Sequence, residues 1–120
     1  MSTDPRDGRI DYVEFPAQSK EGFAAAKRFY QEAFGWSFQD WGDDYSDTKS
    51  SGVTSGFSAA SEHRPAGTLA VLYSTDLEAA KDRAVKAGGK IVRDIFSFPG
   101  GRRFEFTDPA GNRLGVWSDK

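Results

Sequence analysis

The sequence predicts an α+β fold built from two β-α-β-β-β modules. A short pattern occurs twice, 54 residues apart: Ala25-Ala26-Lys27 running to Gly35, and Ala79-Ala80-Lys81 running to Gly89, with seven residues between lysine and glycine in both copies. Each copy reads as a helix that stops at a glycine and is followed by aromatic- and valine-rich stretches. The strand patterns come in runs, with one helix per half, which argues for α+β over an alternating, doubly wound parallel sheet. A repeat near half the chain length marks two copies of one supersecondary unit, and two copied half-sheets tend to enclose a shared cleft.

The elements follow in order. Residues 1–8 hold Asp4, Pro5, Asp7 and Gly8 and are expected to be a loose leader. Ile10 to Phe15 alternates, with Val13 and Phe15 on one face and Tyr12 and Glu14 on the other, and Pro16 stops the strand. Ser19 can cap the next helix, whose apolar stripe is Phe23, Ala26, Tyr30, Ala33 and Phe34, with Gly35 as terminator. Trp36 to Trp41 reads as a second strand. Residues 42–56, rich in Gly, Ser, Asp and Thr, are expected to form one exposed strand or hairpin before a strand near Val53 to Ala59. Ser61 to Gly67 reads as the linker between modules of about 9–60 and 67–118 within one domain.

In the second half, Thr68 to Tyr73 is a strand. Asp76 or Thr75 caps a helix with the stripe Leu77, Ala80, Ala84 and Ala87, ended by Gly88-Gly89. Lys90 to Phe98 is a strand and Pro99-Gly100-Gly101 a turn. Arg102 to Thr107 alternates Phe104 and Phe106 with charges. Asp108-Pro109-Ala110-Gly111 is a tight turn, and Arg113 to Trp117 is the last strand.

At 120 residues the chain has the length of one domain able to bury a core without staples. The net charge of −2 argues against nucleic acid as a partner, since such binders carry a basic patch. With no cysteine, disulfides, thiolate catalysis and cysteine metal sites are excluded. No apolar run reaches the 18 or so residues of a membrane span, and the polar start does not read as a signal peptide, so the expectation is a cytoplasmic protein with no membrane partner.

Phe29-Tyr30 before Phe34-Gly35-Trp36, the Asp76-Leu77 helix closing on Ala87-Gly88-Gly89, and Phe106-Thr107-Asp108-Pro109-Ala110-Gly111-Asn112 together resemble the vicinal oxygen chelate superfamily, which includes glyoxalase I, bleomycin resistance proteins and extradiol dioxygenases. The resemblance covers roughly residues 9–118. It implies paired βαβββ modules forming a curled mixed sheet around a cleft, often completed by a second subunit. It also implies a divalent metal held by His, Gln or Glu side chains, two from each module. Carried onto this sequence, those positions fall at Ile10 or Tyr12, near Gly56 or Phe57, at Ala70 and at Gly115. None is a good ligand, so the resemblance is to a glyoxalase-like branch lacking the metal ligands, and no metal and no cofactor are expected.

If Gly115 marks the cleft side of the last strand, Arg113 and Trp117 share it. The same register puts Thr68, Ala70, Leu72 and Ser74 on the cleft side of the second module's first strand, opposite Tyr12 and Glu14. Glu14, an ionisable group on a partly buried face, needs a partner or a shifted pKa, and Arg113 is the plain candidate. His63, alone of its kind, falls in the linker and reads as a surface or structural residue before a ligand or base. Asp40, Asp43, Asp44 and Asp47 read as a solvated loop without the spacing of a calcium loop. Gly100-Gly101-Arg102-Arg103 reads as a hairpin turn, because no helix follows it to favour an anion.

These observations support a metal-independent small-molecule-binding protein of the glyoxalase/bleomycin-resistance type, with Tyr12, Glu14, Arg113 and Trp117 lining an aromatic cleft and no residue assigned to catalysis. The ligand would be an aromatic or cationic small molecule, and the protein a homodimer. Two alternatives stay open. One is a lyase, isomerase or dioxygenase-like enzyme of the same fold using a displaced metal or a non-metal site. The other is a structural module whose cleft is closed by dimerisation.

Overall fold

The computed structural model describes residues 3–120. Among these residues the chain forms eight strands and two helices, an α+β arrangement. The described residues divide into two compact units: Tyr12–Leu69, and residues 3–11 together with Ala70–Lys120. They are called the N-terminal and C-terminal units below. Among the described residues no helix is long and apolar enough to cross a membrane.

The N-terminal unit contains most of β1 (Ile10–Pro16), α1 (Lys20–Phe34), β2 (Gln39–Asp40), β3 (Tyr45–Thr48) and β4 (Ser55–Ser58). Its strand order is β2-β3-β4-β1, with β4 antiparallel to β3 and parallel to β1. The Ser19 side chain caps α1 by accepting from the Gly22 backbone N–H at 3.0 Å, and Gly35 ends it in the left-handed conformation at φ 72°. Phe15 stacks on Phe57 with centroids 4.7 Å apart, and Tyr30 of α1 lies against both rings and stacks on Trp36. Side chains alternate along a strand, so Phe15 and Phe57 face α1 while Tyr12, Glu14 and Gly56 face away from it.

The C-terminal unit holds most of β5 (Leu69–Tyr73), with α2 (Leu77–Lys86), β6 (Lys90–Phe98), β7 (Gly101–Thr107) and β8 (Arg113–Ser118). Its order, β5-β8-β7-β6, repeats that of the other unit, with β5 parallel to β8 and the hairpin strands antiparallel. Asp76 caps α2 through a 3.0 Å bond from the Ala79 N–H, as its N-cap position dictates. Leu77, Phe104 and Val116 form the core, with Leu72, Ala80, Ile91, Ile95 and Phe106 packed on it. Each fully buried apolar side chain of this kind contributes about 1.5–3 kcal/mol.

Several sequence expectations need correction. Trp36 to Trp41 pairs as a strand only at Gln39–Asp40, because Trp36 leaves the strand path to stack on Tyr30 at 4.5 Å. The polar stretch 42–56 is not merely exposed: Ser46 and Thr48 of β3 are buried, and Ser46 Oγ donates to Asp40 while accepting from Lys27 Nζ at 3.1 Å. Of the expected loose leader, Met1 and Ser2 lie outside the described residues, and Arg6 to Gly8 are tied to β5 and the turn after it. Gly8 N–H donates to the Tyr73 carbonyl at 2.9 Å, Asp7 accepts from the Thr75 N–H at 2.9 Å, and the Arg6 guanidinium lies 3.7 Å from the Tyr73 ring centroid.

Candidate functional site

In the C-terminal unit the face away from α2 is organised by a carboxylate. Along β7, Phe104 and Phe106 turn toward α2, so Arg103, Glu105 and Thr107 turn away. Glu105 is fully buried and draws in arginines from three strands. Arg113 of β8 donates to Oε1 through Nε at 3.1 Å and Nη2 at 2.8 Å. Arg103 donates to Oε2 at 3.2 and 3.1 Å, and Arg93 of β6 approaches the same oxygen at 3.4 Å. The Arg93 guanidinium also stacks on Phe96, 3.7 Å from the ring centroid. Burial, then the nearby Arg103 and Arg113, push the Arg93 pKa down, while Glu105 opposes the shift.

Trp117 completes this face. Its indole Nε1 donates to Asp11 Oδ1 at 3.0 Å, and its ring meets Tyr73 edge-on at 5.1 Å. Burial raises the Asp11 pKa, and the bond from Trp117 works against that rise.

In the N-terminal unit the face away from α1 carries Tyr12 and Glu14 of β1, Tyr45 and Asp47 of β3, and Gly56 of β4, with Glu14, Gly56 and Asp47 paired across the three strands. The hydroxyls of Tyr12 and Tyr45 are hydrogen-bonded over Gly56. A Cβ at Gly56 would overlap both hydroxyls and lie 2.5 Å from Glu14 Oε1, so the convergence requires glycine there. Glu14 is 5% exposed. The Tyr12 phenol is pushed well above its ordinary pKa by burial first, then by Tyr45 and the carboxylates Glu14 and Asp47.

Gly56 and Gly115 are equivalent in the two units. Each sits in the last strand of its module, paired in parallel with the first strand (Gly56 with Glu14, Gly115 with Val71). Each is paired in antiparallel fashion with an acidic residue, Asp47 or Glu105. This register decides which residues stand at the metal positions the resemblance implies. Gly56 faces away from the helix and Phe57 toward it, so Gly56 is the relevant residue on β4. On β5 the expected parity is reversed: Leu72 packs into the α2 core and Ala70 lies on its side, whereas Val71 and Tyr73 share the face of Gly115 and Trp117. A side-chain period of two makes a one-residue slip in a register count exchange the faces.

Of the positions that the resemblance implies for a metal, Gly56 and Gly115 offer no side-chain donor and Val71, paired with Gly115, is apolar, while its counterpart paired with Gly56 is Glu14. Tyr12 would have to lose a proton that its surroundings hold tightly. Among the described residues no group of three or more His, Asp or Glu side chains could hold a metal ion.

Of the predicted site residues, the structure puts Tyr12 and Glu14 on one face of the N-terminal unit, and Arg113 and Trp117 on one face of the C-terminal unit, on either side of Gly115. The carboxylate that holds Arg113 is Glu105. Sequence reasoning passed over it, although its signal was present as an acid between Phe104 and Phe106 on the arginine side of an alternating strand. Tyr45 and Asp47 were missed because 42–56 read as an exposed strand or hairpin with no side chains assigned to a site. The acidic cluster is not one solvated loop: Asp40 pairs with Lys27 at 2.7 Å and Asp43 with Lys20 at 2.6 Å, while Asp47 lies within β3. His63 lies in a turn, its N–H donating to the Ala60 carbonyl at 3.1 Å. Two surface hollows, of about 560 Å³ beside Asp7, Thr75 and Arg83 and about 450 Å³ beside Phe38 and Trp41, include none of the four predicted residues.

The putative glyoxylase CFP32 of Mycobacterium bovis is 28% identical over 123 residues, covering 93% of this chain and 46% of that protein, so the chain spans about half the length of the curated relatives it matches. Among solved structures, a protein described as an NAD-dependent benzaldehyde dehydrogenase from Legionella pneumophila superposes with a TM-score of 0.72 at 16% identity, covering 91% of this chain and 98% of that one. A glyoxalase/bleomycin resistance protein/dioxygenase superfamily member from Vibrio splendidus does so with a TM-score of 0.62 at 13% identity, covering 89% and 96%. At these identities the structures establish the fold alone. The model of the Glyoxalase/Bleomycin resistance protein/Dioxygenase superfamily matches residues 9–116. With the repeated βαβββ topology, this match establishes that the chain belongs to that superfamily.

Proposed function

We propose that this chain is a small-molecule-binding protein that works without the divalent metal of its superfamily, with Tyr12, Glu14, Arg113 and Trp117 as ligand-contacting residues. The observation that carries the reading is the equivalence of Gly56 and Gly115. In both units the last-strand position where the family places a donor has no side chain. The neighbouring groups are instead the Tyr12–Tyr45 hydroxyl pair and the Glu105–arginine cluster. Phenols, an indole and a few oriented charges are the makeup of a recognition surface, in which scattered polar groups orient a largely apolar ligand. The reading takes the protein as a homodimer in solution.

Elemental analysis of the purified protein together with a thermal-shift screen tests it. The expected result is no stoichiometric transition metal, and a melting temperature raised by a class of small molecules through mass action. The shift should shrink in Trp117→Ala and in Glu14→Gln. A stoichiometric metal would overturn metal independence and favour an enzyme. No shift from any class would favour a structural module. Light scattering measures the dimer.

A further inference from the structure

We propose that the N-terminal unit binds a free aromatic α-amino acid at the edge of its sheet, with the ligand's ring on Trp41, its ammonium on Asp47 and its carboxylate on Lys49. The inference rests on the binding reading above and deepens it by naming a ligand class and its seat.

The seat is the hollow of about 450 Å³, lined among others by Ser37, Gln39, Trp41, Asp47 and Lys49, all within this unit. Strand register brings them together. Gln39 of β2 is paired with Asp47 of β3, and two residues along the same ladder the Trp41 N–H donates to the Tyr45 carbonyl at 2.9 Å. The alternate residues, Asp40 and Ser46, turn toward Lys27 of α1, so Gln39, Trp41 and Asp47 turn away from that helix. β2 is an edge strand, and Gln39, Trp41 and Lys49 are exposed, so the hollow is open to a ligand.

Three groups in it are not used by the fold. Trp41 is 62% exposed, and among the described residues its ring stacks on no other, whereas Trp36 lies on Tyr30 and Trp117 meets Tyr73. Asp47 is half-buried, yet among the described residues its carboxylate accepts no hydrogen bond and pairs with no cation, unlike Asp40 and Asp43. The side chains beside it on this face, Tyr12, Tyr45 and Glu14, bring no positive charge. Lys49, just past the end of β3, likewise has no partner among the described residues.

These groups define the ligand. Asp47 and Lys49 are two residues apart, about 6.6 Å along an extended chain, and line one hollow without pairing. A molecule that carries both signs on adjacent atoms can bond to each, an ammonium toward Asp47 and a carboxylate toward Lys49. Gln39 adds a second acceptor on the Asp47 side, because its Nε2 donates to the Asp40 carbonyl at 3.3 Å and its carbonyl oxygen remains available. The indole next to this row offers a face on which an aromatic side chain can stack.

Amide NMR titrations of the full chain test this with phenylalanine, with phenethylamine, which lacks the carboxylate, and with hydrocinnamate, which lacks the ammonium. Phenylalanine should give saturable shifts at residues 37–41 and 47–49 and bind about 10-fold more tightly than either analogue, the difference expected of one charge-assisted contact. Asp47→Asn should weaken phenylalanine and phenethylamine about 10-fold and leave hydrocinnamate unchanged. Lys49→Gln should weaken phenylalanine and hydrocinnamate about 3-fold without weakening phenethylamine. Trp41→Ala should weaken all three, with spectral dispersion confirming that each variant folds. Phenethylamine binding as tightly as phenylalanine, or an unchanged phenylalanine affinity in Asp47→Asn, would overturn the inference and leave the wider binding reading standing. Saturable shifts from none of the three probes overturn it as well, and with a silent thermal-shift screen overturn both.

Discussion

Lys81 Nζ lies 2.6 Å from Asp94 Oδ1, repeating in the C-terminal unit the 2.7 Å pair that Lys27 makes with Asp40 in the other. Each lysine closes an Ala-Ala-Lys and each aspartate stands 13 residues later, so the repeat carries a helix-to-strand ion pair as well as a helix. The lysine bond holds both carboxyls below the ordinary carboxylate range. A depressed folded-state pKa adds stability that is present above the unfolded value and lost as pH falls through the folded one. Lys81→Met should therefore raise the Asp94 pKa toward its ordinary value in a carboxyl NMR titration. Both groups meet solvent, so the change in stability should be small.

Glu105 anchors three guanidiniums with no solvent exposure of its own. Glu105→Ala removes the only acceptor those bonds share and leaves positive charge in a buried setting, a change that costs about 3–5 kcal/mol. Urea unfolding measures it, and a loss below about 1 kcal/mol would mean the cluster contributes no more than a surface ion pair.

Gly56 lies under the hydroxyls of Tyr12 and Tyr45. Gly56→Ala overpacks that point and should destabilise by about 1–3 kcal/mol. Adding Tyr12→Phe removes one colliding oxygen and should return part of the loss. Additive effects in the double-mutant cycle would show that the two positions do not interact.

Asp11 has its pKa raised, chiefly by burial. The sign is opposite to that at Asp94: ionised Asp11 weakens the folded state above its folded pKa, and the penalty is relieved as pH falls toward the unfolded value. Asp11→Asn keeps an oxygen to accept from Trp117, so it should exceed the wild type in stability at neutral pH. The advantage should fade as pH falls to about 4, the ordinary aspartate value, because the wild-type carboxyl, raised in the folded state, has protonated above that point. Denaturant midpoints at the two pH values check this.

The elements that could be read from the sequence are those whose signal is local. Ser19 and Asp76 are caps because a short side-chain oxygen before an apolar stripe can reach a free helix N–H, and Gly35 terminates because it alone tolerates the left-handed turn there. Phe104 and Phe106 showed their strand by alternation. The elements misread depend on distant partners. Trp36 left its strand for Tyr30, and Ser46 became buried because Lys27 and Asp40 satisfy its hydroxyl.

The sequence by itself determined the duplicated α+β plan and the two helices with their ends. Composition, periodicity and capping are properties of neighbouring residues, so no tertiary information was needed for them. Only the tertiary structure decided that Val71, not Ala70, shares the face of Gly115, that Arg113 belongs to Glu105, and that Tyr12 meets Tyr45 over Gly56. Each of these depends on cross-strand register, where a shift of one residue turns every side chain to the opposite face while leaving the local pattern unchanged.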